Sequence, residues 1–196
     1  MTEKTQRLPE GQFLTERFPV LTYGKTPSIS PQNWKFEVWG HGLGEKIEWD
    51  WDEFNSLGEH ETTRDFHCVT TWSRYDNRWE GVPVGEVWKV IESKLDGGVK
   101  PNAVMLHCYG GYTTNLLMED FLESDNLFAT HHDGEKLTVP HGGPMRFVCH
   151  HLYAWKSAKW ISGIELLKED ERGFWERHGY HIRGDPWGEE RYSYQE

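Results

Sequence analysis

Among the longer stretches of this chain, one repeats its apolar residues at the helical interval. Val84, Val87, Trp88, Ile91 and Leu95 share one face of a helix expected over residues 84–95, which Gly97 and Gly98 then end. Five other runs read as strands. Residues 34–39 alternate apolar and polar as a half-buried strand does, and residues 161–167 alternate again. Residues 103–108 are apolar enough for a buried strand and lead into the turn Tyr109-Gly110-Gly111-Tyr112. Residues 66–72 and 145–153 complete the set, the latter entered through Gly142-Gly143-Pro144, and a short helix is expected around 118–122. Strands outnumber helices and do not alternate with them regularly, which argues against a doubly wound sheet. The expected class is α+β, mainly β, with mixed sheets and a few short helices, in a single domain over residues 1–196. Pro9, Pro19, Pro27 and Pro31 make residues 1–30 an extended N-terminal arm crossing that domain.

Apolar residues are 36% of the chain, but 11 Trp, 8 Tyr and 9 Phe bury large areas each, so the expected core is aromatic. Formal net charge is -11, and the acidic runs Glu45 to Glu61, Glu119 to Asp125 and Glu165 to Glu176 read as solvated faces. Such a surface repels phosphate backbones, so nucleic acid is not expected as a partner. Cys68, Cys108 and Cys149 include no C-x-x-C pair, which argues against a disulfide framework or a zinc ribbon and for a reducing compartment. Residues 1–10 are polar, with no signal-peptide core and no twin arginine, and no apolar run approaches ~20 residues. A cytoplasmic protein that does not enter a membrane is expected.

Three constellations can carry chemistry. Cys68 lies in the β-prone run Phe66-His67-Cys68-Val69-Thr70-Thr71-Trp72-Ser73, where a thiol is either a small buried hydrophobe or a soft anionic ligand. Histidine and cysteine adjoin at His67-Cys68, His107-Cys108 and Cys149-His150-His151, so a zinc site from Cys68, Cys108 and His150 or His151 is conceivable. Neighbours on a strand face opposite ways, however, and each pair gives at most one ligand. Against the acidic background stand Arg146, after His141-Gly142-Gly143-Pro144, and the run Lys156-Ser157-Ala158-Lys159. They form either ordinary pairs with Asp and Glu or an anion site. At the C-terminal end, Trp175 to Asp185 gathers Tyr180, His181 and Arg183 around glycines in an expected loop, where a tyrosine can donate to a substrate oxygen or plug the surface. No serine-hydrolase elbow, dinucleotide fingerprint, P-loop or zincin motif is present.

Taken together, these residues resemble the molybdopterin-binding domain of the sulfite oxidase family, particularly its small bacterial sulfite-oxidase-like members, over roughly residues 15–192. Arg17-Phe18-Pro19-Val20-Leu21 looks like the family's pterin-side arm. Cys68-Val69-Thr70-Thr71-Trp72-Ser73 resembles the metal-ligand segment of the bacterial methionine-sulfoxide reductase branch, which implies Cys68 as the thiolate on molybdenum. His141 to Arg146, followed by Ser157-Ala158-Lys159, is similar to the family's order of cofactor-contacting positions. On that resemblance Arg17, Phe18, His141, Arg146, Ser157, Ala158 and Lys159 hold the pterin and its phosphate, and Cys108 falls where a relative carries a pterin-contacting threonine. Tyr180 looks like the active-site tyrosine of the sulfite-oxidising branch, with His181 and Arg183 beside it.

The resemblance implies a molybdopterin-dependent oxidoreductase that exchanges an oxygen atom with a small sulfur- or nitrogen-centred substrate. A soluble cytoplasmic electron carrier serves it, without the haem and C-terminal immunoglobulin-like domains of the eukaryotic enzymes. The sulfite-oxidising branch carries an arginine shortly after its ligand cysteine; here that place holds Ser73, and the nearest cation is Arg74. A carrier that holds the cofactor without turnover, or a structural zinc protein, are the alternatives.

Overall fold

The computed structural model describes residues 7–196, so the first six residues of the expected arm lie outside the described residues. Among the described residues eleven strands form two mixed sheets. The first sheet runs β3-β2-β11-β6-β7. Its strands are β2 (Lys35–Gly40), β3 (Ile47–Asp50), β6 (Ala103–Cys108), β7 (Thr113–Leu117) and β11 (Ile161–Leu167). β11 lies parallel to β2 and antiparallel to β6, and β6 turns directly into β7 through Gly110 and Gly111, both at positive φ. Helix α1 (Trp51–Asn55) follows β3 through an Asp50 cap that accepts from the Glu53 backbone, while Glu53 accepts from the Asp50 backbone.

The second sheet is built on β5 (Trp72–Pro83), flanked by β4 (His60–His67) and β8 (Leu127–His132), with β10 (Arg146–Val148), β9 (Glu135–Lys136) and the arm strand β1 (Phe13–Leu14) added at its margins. α2 (Val84–Glu92) leaves β5 at Pro83 and buries Val84, Val87 and Ile91. It stops short of Leu95, which bridges to Leu43 instead. The main core lies between the sheets and is aromatic as expected: Phe36 and Phe54 meet Phe128 across it, with Trp34 packed on Phe54 and Phe147 on Phe128. α3 (Met118–Phe121) and α4 (Phe174–Arg177) are single turns.

Three sequence expectations are corrected here. Residues 66–72 are not one strand: β4 ends at His67, Cys68 to Thr71 reverse the chain, and β5 begins at Trp72. Thr71 takes φ 77°, and the reversal is closed by Cys68 N–H to the Trp72 carbonyl and by Thr71 N–H to the Cys68 carbonyl. Residues 145–153 keep strand pairing only over 146–148, because Cys149 N–H donates to Ser157 Oγ and the chain folds back until Lys159 bridges to Arg146. The acidic runs are not all solvated, since Asp120 and Glu176 are buried.

Candidate active site

These reversals enclose one cavity of about 340 Å³, within the usual range of small-molecule sites. Its walls are arm residues 18–23, the β4–β5 turn at Cys68 to Thr70 with Phe66 and Trp72 beside it, His141 and Arg146, Ala154, Trp155, Ser157, Lys159 and Trp160, Tyr112, and the C-terminal residues Trp175 and Tyr180.

Cys68 reaches the cavity because it sits in a turn and not in a strand. Its carbonyl accepts from Gln12 Nε2 at 3.1 Å, which ties the turn to the arm, and its Sγ lies 3.2 Å from Thr70 Oγ1. Burial pushes the thiol's pKa up, opposed by the Thr70 hydrogen bond and the Arg191 charge. Ser73, next along β5, is fully buried; His67 Nδ1 lies 2.8 Å from its Oγ, and that hydroxyl donates to Gln12. Arg74 pairs with Asp133 at 2.6 Å and does not line the cavity.

A second wall carries positive charge. Arg146 is buried and donates to the His141 and Ser157 carbonyls at 3.0 and 2.8 Å, while its Nε–H has no partner. Its guanidinium lies over Phe66 and Trp79, and burial pushes its pKa down to about 10. Lys159 donates to the Leu21 and Pro140 carbonyls and to Thr22 Oγ1; burial and then Arg146 push it down to about 8. His141 stacks on Phe18 at 4.6 Å, its pKa lowered by burial and by both neighbouring cations. Gly142, at φ 106°, makes this approach possible, since a Cβ there would lie 3.0 Å from Arg146 and 3.1 Å from Lys159 side-chain carbons.

The protein is rich in Asp and Glu, yet among the described residues none lines this cavity. Among the described residues neither Arg146 nor Lys159 has a carboxylate partner, so the ordinary-pair reading of these two cations does not hold. A buried cationic corner with an orphaned N–H is an environment that an anionic, hydrogen-bonding group relieves. The residues present therefore fit a cofactor with a phosphate tail and a soft-ligand metal.

The third wall is aromatic. Tyr180 stacks on Trp175 at 5.3 Å and lies 5.0 Å from Trp155. Burial raises the phenol's pKa, with Tyr192 and Cys68 acting the same way, so the hydroxyl stays a proton donor. Tyr112 donates to the Trp155 carbonyl at 2.6 Å.

Of the residues expected from sequence, the structure gathers Phe18, Cys68, His141, Arg146, Ser157, Lys159 and Tyr180 on this cavity. Arg17, Cys108, Ala158, His181 and Arg183 do not line it. Arg17 is exposed, whereas Cys108 and Ala158 belong to the buried core, with Cys108 close enough to Arg146 to feel its charge. His181 Nδ1 accepts from the Arg183 and Gly184 backbones, and Arg183 pairs with Asp120 at 3.1 Å, so both hold the C-terminal loop together. No three His, Cys, Asp or Glu side chains converge on a metal position among the described residues, which leaves the zinc alternative without a ligand set. Sequence reasoning missed Trp155 and Tyr112 as lining residues; the Gly110-Gly111 turn before Tyr112 was the available signal.

The fold and cavity define an oxidoreductase domain built around a pterin cofactor, and comparison with known proteins agrees. The sequence model of the oxidoreductase molybdopterin binding domain matches residues 23–175. The chain is 41% identical over 194 residues to a Bacillus subtilis (strain 168) protein named uncharacterized oxidoreductase YuiH, covering 98% of this chain and 96% of that one. Among solved structures it is similar to the sulfane dehydrogenase SoxCD from Paracoccus pantotrophus, with a TM-score of 0.63 at 15% identity. That match covers 74% of this chain but spans only 41% of the other, and it shows the shared fold. The chain belongs to the oxidoreductase molybdopterin-binding domain family, and its cofactor is molybdopterin with molybdenum. Phe18 to Thr22 and Tyr180 line the cavity from outside the matched residues. No helix among the described residues is long and apolar enough to cross a membrane.

Proposed function

We propose that the protein exchanges an oxygen atom with a small uncharged sulfur- or nitrogen-centred substrate such as a sulfoxide or an N-oxide, served by a soluble electron carrier. The observation that carries this reading is the division of the cavity wall. Among the described residues its cationic side chains, Arg146 and Lys159, stand together beside the His141 imidazole, and the surface near Cys68 is largely aromatic, with Trp72, Trp155, Trp175 and Tyr180. Once those cations hold the pterin phosphate and ring, no cation among the described residues is left on the wall for an anionic substrate such as sulfite.

When bound, the molybdenum supplies two-electron oxygen-atom exchange. Cys68 would furnish its thiolate, a soft anionic donor. Phe18 and His141 would form a flat stacked edge for the pterin beside the Arg146 and Lys159 donors, while the Ser157 hydroxyl is spent on Cys149, accepting from its N–H and donating to its carbonyl. Trp155 and Trp175 exclude water and receive the substrate's carbon groups. Tyr180, held protonated, donates a hydrogen bond to the substrate oxygen. In the reducing direction the S–O or N–O bond breaks, the carrier delivers two electrons, and two protons turn the released oxygen into water.

Purification from a host that makes the cofactor, followed by molybdenum analysis and a turnover screen with artificial donors and acceptors, tests this. Molybdenum in the preparation and a kcat/KM for dimethyl sulfoxide or trimethylamine N-oxide roughly 10-fold or more above that for sulfite are expected. A sulfite preference, or a protein that ignores added cofactor, overturns the reading. Cys68→Ala is expected to abolish turnover.

A further inference from the structure

Behind the aromatic wall lies an ion pair that the chemistry above does not use. Lys156 Nζ and Glu176 Oε1 are 2.7 Å apart with side chains 1% and 0% exposed. We propose that this pair is the positioning element that aims Trp155, Trp175 and Tyr180 into the cavity, an inference that rests on reading Tyr180 as the substrate-side group.

The need for such an element follows from the chain that carries Trp175 and Tyr180. Its regular structure is one helical turn, α4, far below the length at which a helix holds itself, and a single bridge from Tyr180 to Tyr192. Something outside must fix it. Glu176 projects from that turn into the protein, where its Oε1 accepts from Trp155 Nε1 at 2.9 Å and from Thr114 Oγ1 at 2.8 Å. One carboxylate oxygen thus ties the loop both to strand β7 and to the indole that faces Tyr180. The approach is close enough to require Gly173, where a Cβ would lie 2.5 Å from Thr114 Cα and 2.7 Å from Glu176 Oε2.

Lys156 completes the clamp from the other side. Its ammonium is paired in charge with Glu176 and directs its N–H groups to the Asn115 carbonyl and Oδ1, both at 2.9 Å, and to the Ile182 carbonyl at 2.6 Å. Ile182 lies two residues beyond Tyr180, so the loop is gripped before and after the tyrosine. Lys156 itself sits between Trp155 and Ser157, both on the cavity wall. The same turn that presents Ser157 to the charged wall therefore sets the aromatic one. An apolar plug would fill this volume without direction; charge-assisted hydrogen bonds fix the indole's orientation as well.

The test uses the molybdenum-loaded protein with Lys156→Met, Tyr180→Phe and the combination, assayed on dimethyl sulfoxide, together with a crystal structure of Lys156→Met. Lys156→Met is expected to keep its molybdenum while kcat falls roughly 100-fold, as a displaced reacting group produces. Tyr180→Phe is expected to cost much less on the Lys156→Met background than in the wild type, because the hydroxyl is already misplaced. In the crystal the Tyr180 ring is expected to move while Arg146 and Lys159 stay. Additive losses, or an unmoved ring, overturn the proposal. If Tyr180→Phe is silent in the wild type, the substrate-side reading of Tyr180 falls and the ring position alone decides whether the pair positions it. Should Lys156→Met fail to fold, Lys156→Met with Glu176→Gln leaves no lone buried charge and is expected to show the same displaced ring.

Discussion

Arg146 shows at the scale of one residue how this site is prepared for its cofactor. A buried guanidinium costs several kcal/mol unless it is paired, and here two carbonyls and two rings offset only part of that, with Nε–H left orphaned. Arg146→Met is therefore expected to leave the metal-free protein as stable as before or more so, by up to ~1–4 kcal/mol. The same variant should purify with much less molybdenum. Calorimetry of the metal-free protein and metal analysis of the loaded one check the two halves, and a large drop in metal-free Tm would make Arg146 structural. Sequence showed Arg146 and Lys159 because cations stand out in an acidic chain. It did not show that Asp120 and Glu176 leave the surface, because their partners Arg183, His151 and Lys156 come from distant segments. Arg183 was misplaced for the same reason, since its partner Asp120 is distant in sequence, whereas His181 is held by the Arg183 and Gly184 backbones beside it: a titratable residue in a loop looks alike whether it faces a substrate or the protein.

At the scale of elements, the second sheet is the floor under the cavity, and its bend is set at one glycine. β5 shifts register against β8 between Glu80 and Gly81, and a Cβ at Gly81 would lie 2.1 Å from the Phe128 carbonyl oxygen. The obstacle is backbone, which cannot swing aside as a side chain can. Gly81→Ala is expected to destabilise the protein by at least ~1–3 kcal/mol, read as a lower midpoint in urea, and an unchanged midpoint would show that the strands can part without cost. Strands β2, β6 and β11 were legible because each has its own alternation or apolar run. The Cys68 hairpin was not. Val69, Thr70 and Thr71 all favour strands, and what turns them is the arm: Gln12 holds the Cys68 carbonyl, and Phe13 N–H donates to the Thr71 carbonyl at 2.8 Å. A segment more than fifty residues away decides the geometry of the one thiol on the cavity wall, and local propensity carries no trace of it.

For the molecule as a whole, three histidines place opposite slopes on stability against pH. His150 is buried with neither ring nitrogen partnered, and burial pushes its pKa down to about 3; His132 is down to about 4 for the same first reason. Unfolding lets both take up protons below the ordinary histidine value of about 6.5. The unfolded state then binds more protons than the folded one, so stability falls as pH drops from there toward 4. His151 works the other way. Burial opposes its charge, but Asp120 at 3.0 Å and the Cys149 thiol outweigh that and raise it to about 10. Its contribution is complete below about 6.5 and is lost as pH rises toward 10, partly offset above pH 8 by Lys159, whose depressed pKa has the opposite sign. The protein should be most stable near neutrality, with His150 and His132 contributing alike to the acid limb down to about pH 4. His150→Phe removes both orphaned nitrogens, so its Tm is expected to exceed the wild type's by a margin that grows as pH is lowered from 7 to 5. The growth corresponds to about 1.4 kcal/mol at most per pH unit below 6.5. Thermal melts of the two proteins across pH 5 to 10 measure it, and parallel acid limbs would show that His150 keeps its proton, and so a partner, in the folded protein.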